Sequence, residues 1–101
     1  MARGKTVVLK TKEFATQLLA TAFFKQMLNS YKPGDRVSDD DAEHLVELLK
    51  RHSEYESKLG CGIDHFEVMF ADYSSQCFGV IRIDGTQDNF SYKHCIDQRP
   101  R

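Results

Sequence analysis

The 101-residue chain has no tryptophan, two prolines and three cysteines, and 14 basic residues nearly balance 15 acidic ones, leaving a formal net charge of −1. Each shortage excludes something. A near-neutral balance removes any global positive field, so nucleic acid can be held only by a local cluster of Lys and Arg. Cys61, Cys77 and Cys95 form an odd set with no CxxC spacing, which speaks against a disulfide framework and suits a reducing compartment. No apolar run approaches the length of a signal-peptide core or a membrane span, and Met1 to Thr6 is short for a transit peptide. The expectation is a cytoplasmic protein with no membrane partner.

What is present is the composition of a globular protein, 41% hydrophobic and 29% charged, far from that of a disordered chain. The length suits a single domain spanning residues 1–101, with a core from about residue 6 to 97 and frayed ends from Met1 to Lys5 and Gln98 to Arg101.

Thr6 to Lys10 is a short β-branched run. Thr11 is positioned to cap a helix with an apolar stripe of Phe14, Ala15, Leu18, Leu19, Ala22, Phe23, Met27, Leu28 and Tyr31. Lys32-Pro33-Gly34-Asp35 ends it. Ser38 opens a second helix, with Asp39, Asp40 and Asp41 at the positive end of its dipole and Ala42, Leu45, Leu48 and Leu49 as its core stripe. The same period puts His52 beside the buried side of the last turn, where the dipole favours the charged imidazole, and Glu47 and Arg51 stand at i, i+4 spacing. Ser53 and Glu56 read as a capping box for a short helix to Leu59, broken by Gly60-Cys61-Gly62.

From Ile63 to Phe70 the period changes to two, with Phe66, Val68 and Phe70 on one face and His65, Glu67 and Met69 on the other. After a polar loop from Asp72 to Gln76, Cys77 to Ile83 reads as a second strand. Asp84-Gly85 signals a hairpin to a third strand ending near Phe90. Ser91 can cap a last helical turn through Ile96, an extended tail being the alternative. The expected fold is α+β, an antiparallel three- to four-stranded sheet packed on two main helices plus short helical turns, the N-terminal run adding an edge. If Ile81 and Ile83 face the core, Phe78, Val80 and Arg82 form a second, apolar-plus-basic face that is either partly covered or used for binding.

Gly60-Cys61-Gly62-Ile63-Asp64-His65-Phe66-Glu67-Val68, then Cys77-Phe78, Arg82-Ile83-Asp84-Gly85-Thr86 and Phe90-Ser91-Tyr92-Lys93-His94-Cys95-Ile96, resemble the DCL (defective chloroplasts and leaves) family. Leu28-Asn29-Ser30-Tyr31 and Leu48-Leu49-Lys50-Arg51-His52 extend the likeness to residues 7–97. Ser53, Gly79 and Asn89 depart from the usual proline, bulky residue and aspartate at those positions. The resemblance implies RNA metabolism: plant members resemble a factor needed for ribosomal RNA maturation, and a similar domain ends the largest subunit of a plant-specific RNA polymerase. It implies no catalytic residue.

The candidate RNA-binding residues are Arg51, His52, His65, Arg82, Tyr92, Lys93 and His94, with Lys50 beside them: cations for phosphates and an aromatic face for a base. The plainer reading is solvated charge, with Arg51 occupied by Glu47. Cys61 with His65, or His94 beside Cys95, lacks a second ligand pair, so no metal or other cofactor is expected and the cysteines read as structural. Asp64, His65, Glu67, Asp84 and Asp88 are enough acids for a metal-dependent nuclease, yet turn and strand-end acids are common without chemistry, and the balance leans away from an enzyme. The working expectation is a non-enzymatic RNA-binding or RNA-processing accessory domain. The alternative is a module that docks a protein partner of the RNA-processing or transcription machinery, such as a polymerase or nuclease, through Phe78 and Val80.

Overall fold

The computed structural model describes residues 6–71 and 75–97. The elements run β1 (Val7–Val8), β2 (Glu13–Phe14), α1 (Gln17–Asn29), α2 (Asp39–Leu49), α3 (Tyr55–Leu59), β3 (Ile63–Phe70), β4 (Gln76–Arg82), β5 (Gln87–Phe90) and α4 (Tyr92–Asp97). This is the α+β class. The expected frayed ends and most of the polar loop lie outside the described residues, and Gln76, assigned to that loop, opens β4.

Two expectations at the N-terminus are overturned. β1 does not extend the main sheet; it pairs antiparallel with β2 in its own ribbon, closed by reciprocal hydrogen bonds between Leu9 and Lys12 of 2.8 and 3.2 Å. The first helix therefore starts later. Its cap is Thr16, whose hydroxyl accepts from the Leu19 amide at 3.2 Å, while Thr11 meets His44 Nδ1 at 2.8 Å. With that start the buried stripe is Ala20, Phe24, Met27 and Leu28, and Leu18 and Leu19 are exposed. Phe14 comes from the ribbon instead, its ring 5.3 Å from Phe23 and 6.0 Å from Phe24.

The second helix forms as read. The Ser38 hydroxyl accepts from the Asp41 amide at 3.2 Å, the three aspartates fill the first turn, and Leu45, Leu48 and Leu49 are buried. In α3 the capping box does not form: Glu54 is the cap residue, without a side-chain bond, and the Ser53 hydroxyl faces His94. Ser91 does cap α4, accepting from the His94 amide at 3.3 Å, which settles the C-terminal segment as helix.

The main sheet has the order β3-β4-β5. Cross-strand partners share a face, and β3 presents Phe66 and Val68 to the helices. Val80 lies opposite Phe66, Phe78 opposite Val68 and Phe90 opposite Phe78. Phe78 and Val80 are consequently core residues with no exposed surface, and Ile83 is exposed. This reverses the face expected for β4 and removes the surface on which docking through Phe78 and Val80 depended. Phe70, at the last residue of β3, is exposed. The outer edge of β3 is shielded by the segment before α2: Gly34 N donates to Val68 O at 2.6 Å, Val68 N to Asp35 O at 2.9 Å and Val37 N to Phe66 O at 2.9 Å, with Arg36 bridging Glu67. The hairpin from β4 to β5 turns through Gly85, whose φ of 89° suits a residue without a Cβ.

α4 docks against α1 and α2 and buries Cys95 and Ile96 completely. Burying the isoleucine side chain contributes about 1.5–3 kcal/mol and the smaller cysteine adds to it, so this six-residue helix is held by packing rather than by its own propensity.

Candidate functional site

Short helices leave carbonyls without intrahelical partners, and here arginines supply the missing donors. Arg51 follows the end of α2 and reaches across to α4, donating from Nε to Cys95 O at 2.9 Å and from a terminal nitrogen to Ile96 O at 3.0 Å. Glu47, expected as its partner, pairs with Lys50 at 2.9 Å. Arg82 extends from β4 under the end of α3, donating to Lys58 O at 2.9 Å and Ser57 O at 3.3 Å. It passes where Gly60 has no side chain: a Cβ there, at φ 54°, would sit 2.8 Å from Arg82 Cδ.

These two anchors gather a cationic corner. His52 and His94 have ring centroids 4.5 Å apart, and the Ser53 hydroxyl is 3.1 Å from His94 Nε2. Lys58 lies within electrostatic reach of His52 and pairs with Asp88 at 3.3 Å, as Arg82 does at 3.5 Å. Burial works against the Asp88 carboxylate, but the Asn89 amide, Lys58 and Arg82 outweigh it and hold its pKa below the usual value. The corner thus sets His52, Lys58 and Arg82 around Asp88 and His94 against His52, with Arg51 next to His52 in the chain and Glu54 at the rim.

His52 departs from the dipole expectation. Burial first, then the neighbouring His94 and Lys58, push its pKa below 6.5. At this ring separation two unit charges repel by about 1 kcal/mol in water and about 4 kcal/mol at an effective permittivity of 20, enough to oppose the helix-end attraction of about 0.3–1 kcal/mol. The Glu54 amide donates to His52 Nδ1 at 2.9 Å, so the neutral ring carries its proton on Nε2.

His65 does not join this corner. Its Nδ1 lies 2.6 Å from Asp64 and its Nε2 2.7 Å from Glu67, and the hydrogen bonds to Glu67 and Asp64 raise its pKa above 6.5. A raised pKa stabilises the fold fully below the unfolded value, and that contribution is lost as pH rises through the folded value; the lowered pKa of His52 stabilises above 6.5 and is lost as pH falls through its folded value. Ring titration by NMR should place the His65 midpoint above 6.5 and the His52 midpoint below it. His65→Gln should abolish the stability loss on the alkaline side of 6.5, and an unchanged loss would show that the two carboxylates do not hold the imidazolium.

Tyr92 packs edge-on against Phe78 at 6.2 Å. With Lys93, Ser91, Asn89, Gln76 and Leu28 it lines an open groove of about 420 Å³. Lys50 and Lys93 are exposed. Burial pushes the Cys95 thiol up to about 12, which removes it as a nucleophile at neutral pH. The acids weighed for metal chemistry are dispersed: Asp64 and Glu67 clamp His65, Asp84 receives the Thr86 hydroxyl and Asp88 serves the cationic corner. Among the described residues no three His, Cys, Asp or Glu converge to hold a metal ion, and no helix is long and apolar enough to cross a membrane. Sequence reasoning missed Lys58 and weighed Asp88 only as an acid for metal chemistry, since nothing local marks a lysine on a five-residue helix and an acid on a distant strand as partners.

Fold and site together define a small α+β domain with an arginine-anchored C-terminal helix and a cationic corner beside it. The chain belongs to the family described as "Protein of unknown function (DUF3223)", which matches residues 25–96, and relatives named DCL bear out the resemblance seen in the sequence. The solution NMR structure of an uncharacterized protein from Rhodospirillum rubrum is 49% identical, with a TM-score of 0.85, over 94% of this chain and 91% of that one. Protein DCL homolog, chloroplastic, from Arabidopsis thaliana is 40% identical over 79 residues, covering 73% of this chain and 36% of the relative. DNA-directed RNA polymerase V subunit 1 of the same plant is 38% identical over 74 residues, 68% of this chain but 4% of the subunit. The chain spans less than half the length of these curated relatives.

Proposed function

We propose that this domain is a non-enzymatic RNA-binding accessory domain serving RNA-processing or transcription machinery. The observation that carries the reading is the gathering of His52, Lys58, Arg82 and His94 from separate elements into one corner, with Arg51 adjoining His52 in the chain. A similar domain within a polymerase subunit, as 4% of its length, supports a module attached to larger machinery. In this reading Arg51 and Arg82 hold the scaffold, while His52 and His94 of the corner, with exposed Lys93 beside His94 in the chain and Lys50 at the end of α2, meet phosphates and Tyr92 offers its ring beside the groove to an unstacked base.

Binding of the domain to a mixed pool of structured and single-stranded RNA, measured across a salt series, tests this. Affinity should fall with salt with a slope of about −0.7 per phosphate contacted on single strands, and Lys50→Glu/Lys93→Glu should weaken it about tenfold or more with the amide spectrum unchanged. No binding at low salt would overturn the reading.

A further inference from the structure

We propose that the open groove between the end of the sheet and α4 is a subsite for a single nucleobase, one whose exocyclic amino group donates to the side-chain oxygen of Gln76. The inference deepens the RNA-binding reading and rests on it for the strand that delivers the base. The groove arises where two strands end out of step. β5 stops at Phe90, opposite Phe78, and the backbone turns through Ser91 into α4, whereas β4 starts farther out, at Gln76. Leu28 of α1 and Phe90 add apolar surface to the space this leaves, which measures about 420 Å³. Clefts that hold small molecules run from about 300 to 1,000 Å³ and combine apolar walls with a few placed polar groups.

Gln76 supplies such a group. Its Nε2 donates to Leu28 O at 2.6 Å and to Tyr31 O at 2.9 Å, which uses both amide protons. Turning the amide over would set its oxygen against two carbonyls, so the bonding itself fixes the orientation. Oε1 is left with no partner among the described residues, and it is not sealed from solvent. An acceptor held in this way selects a ligand with protons to give. The amino group of adenine or cytosine stands free at the edge of the base. The edge N–H of uracil lies between two carbonyl oxygens, which would crowd Oε1 with like partial charge.

The remaining lining suits the rest of a nucleotide. Tyr92 is held edge-on against Phe78 at 6.2 Å, so its ring is in place before a base arrives to stack on it. Its hydroxyl and the side-chain amide of Asn89 have no hydrogen-bond partner among the described residues. Exposed Lys93 also lines the groove, and among the described residues no acid does, which favours an anionic sugar-phosphate at its mouth.

The test titrates the whole chain with adenosine 5′-monophosphate and with pentaribonucleotides of uridine whose central position is adenosine, purine riboside, uridine or an abasic sugar, following the Gln76, Asn89 and Tyr92 resonances by NMR. The adenosine strand should bind tightest. Purine riboside, which lacks only the amino group, should bind about three- to tenfold more weakly, the worth of one hydrogen bond, and the abasic strand about tenfold or more weakly through lost stacking. Replacing Gln76 would also cut its ties to α1, so the change in the ligand carries this part of the test. Tyr92→Leu keeps an apolar side chain against Phe78 and should erase the advantage of the adenosine strand over the abasic one. Salt-sensitive binding that is equal for all four strands and leaves Gln76 and Tyr92 unmoved would overturn the subsite and leave the RNA reading standing. Adenosine 5′-monophosphate shifting Gln76 and Tyr92, with no affinity for any strand, would support the subsite and overturn the RNA reading.

Discussion

Phe78→Ala is expected to destabilise the domain by about 3–5 kcal/mol, the range for truncating a fully buried phenylalanine. The ring has no exposed surface, stacks on Phe90 at 6.0 Å and meets Tyr92 edge-on at 6.2 Å, so its removal leaves a cavity bordered by β5 and α4. Ile83→Ala, on a residue 67% exposed, should stay within about 0.5 kcal/mol. Urea unfolding of the pair reads the register of β4 directly. If Ile83→Ala proved the costly change and Phe78→Ala the mild one, the strand would have its other face in the core, and docking through Phe78 and Val80 would return.

That register was illegible for a specific reason. Along β4 both alternations are apolar, Phe78 and Val80 on one face and Ile81 and Ile83 on the other, so a period of two cannot say which faces inward. The choice is made by β3, where Phe66 and Val68 leave no ambiguity, and transmitted through the pairings. The readings that held were those in which local chemistry decides the outcome: Ser38 with three aspartates behind it, the Asp84-Gly85 hairpin, the alternation from Ile63, and Ser91 as a cap. The ribbon from Val7 to Phe14 has two-residue strands, too short to express a period, and missing it displaced the start and the buried phase of α1.

The site divides in the same way. Arg51, His52, Arg82 and His94 were visible as candidate cations, but their roles depend on partners tens of residues away. Arg51 reaches carbonyls 44 and 45 positions along the chain. Arg82 meets α3 carbonyls 24 and 25 positions away. His65 has near neighbours for partners, Asp64 and Glu67, and these carboxylates make it part of a local ion cluster rather than of the corner. A sequence displays side-chain type and local spacing, and those sufficed to nominate the cations; whether a cation meets a carbonyl, a carboxylate or solvent is set by tertiary packing.

Arg51→Met is the substitution that separates scaffold from contact surface. It keeps an unbranched apolar stem but removes the donors to Cys95 O and Ile96 O, both part-buried bonds. Hydrogen bonds from charged groups contribute about 1.5–3 kcal/mol each, and unsatisfied carbonyls carry a desolvation penalty. Ile96 O keeps its bond from Gln17 Nε2 at 3.2 Å, which offsets some of that, so a loss of about 2–4 kcal/mol is expected in urea unfolding. Amide exchange should quicken first in α4, because its six residues cannot persist as helix once undocked. Arg51→Lys should recover part of the stability, since one ammonium replaces the charge but not the fork that spans two successive carbonyls. If Arg51→Met cost less than about 0.5 kcal/mol, the surface value, packing of Cys95 and Ile96, with the Gln17 bond to Ile96 O, would be holding α4. Arg51 would then be released from its scaffold role and return to the residues that meet phosphate.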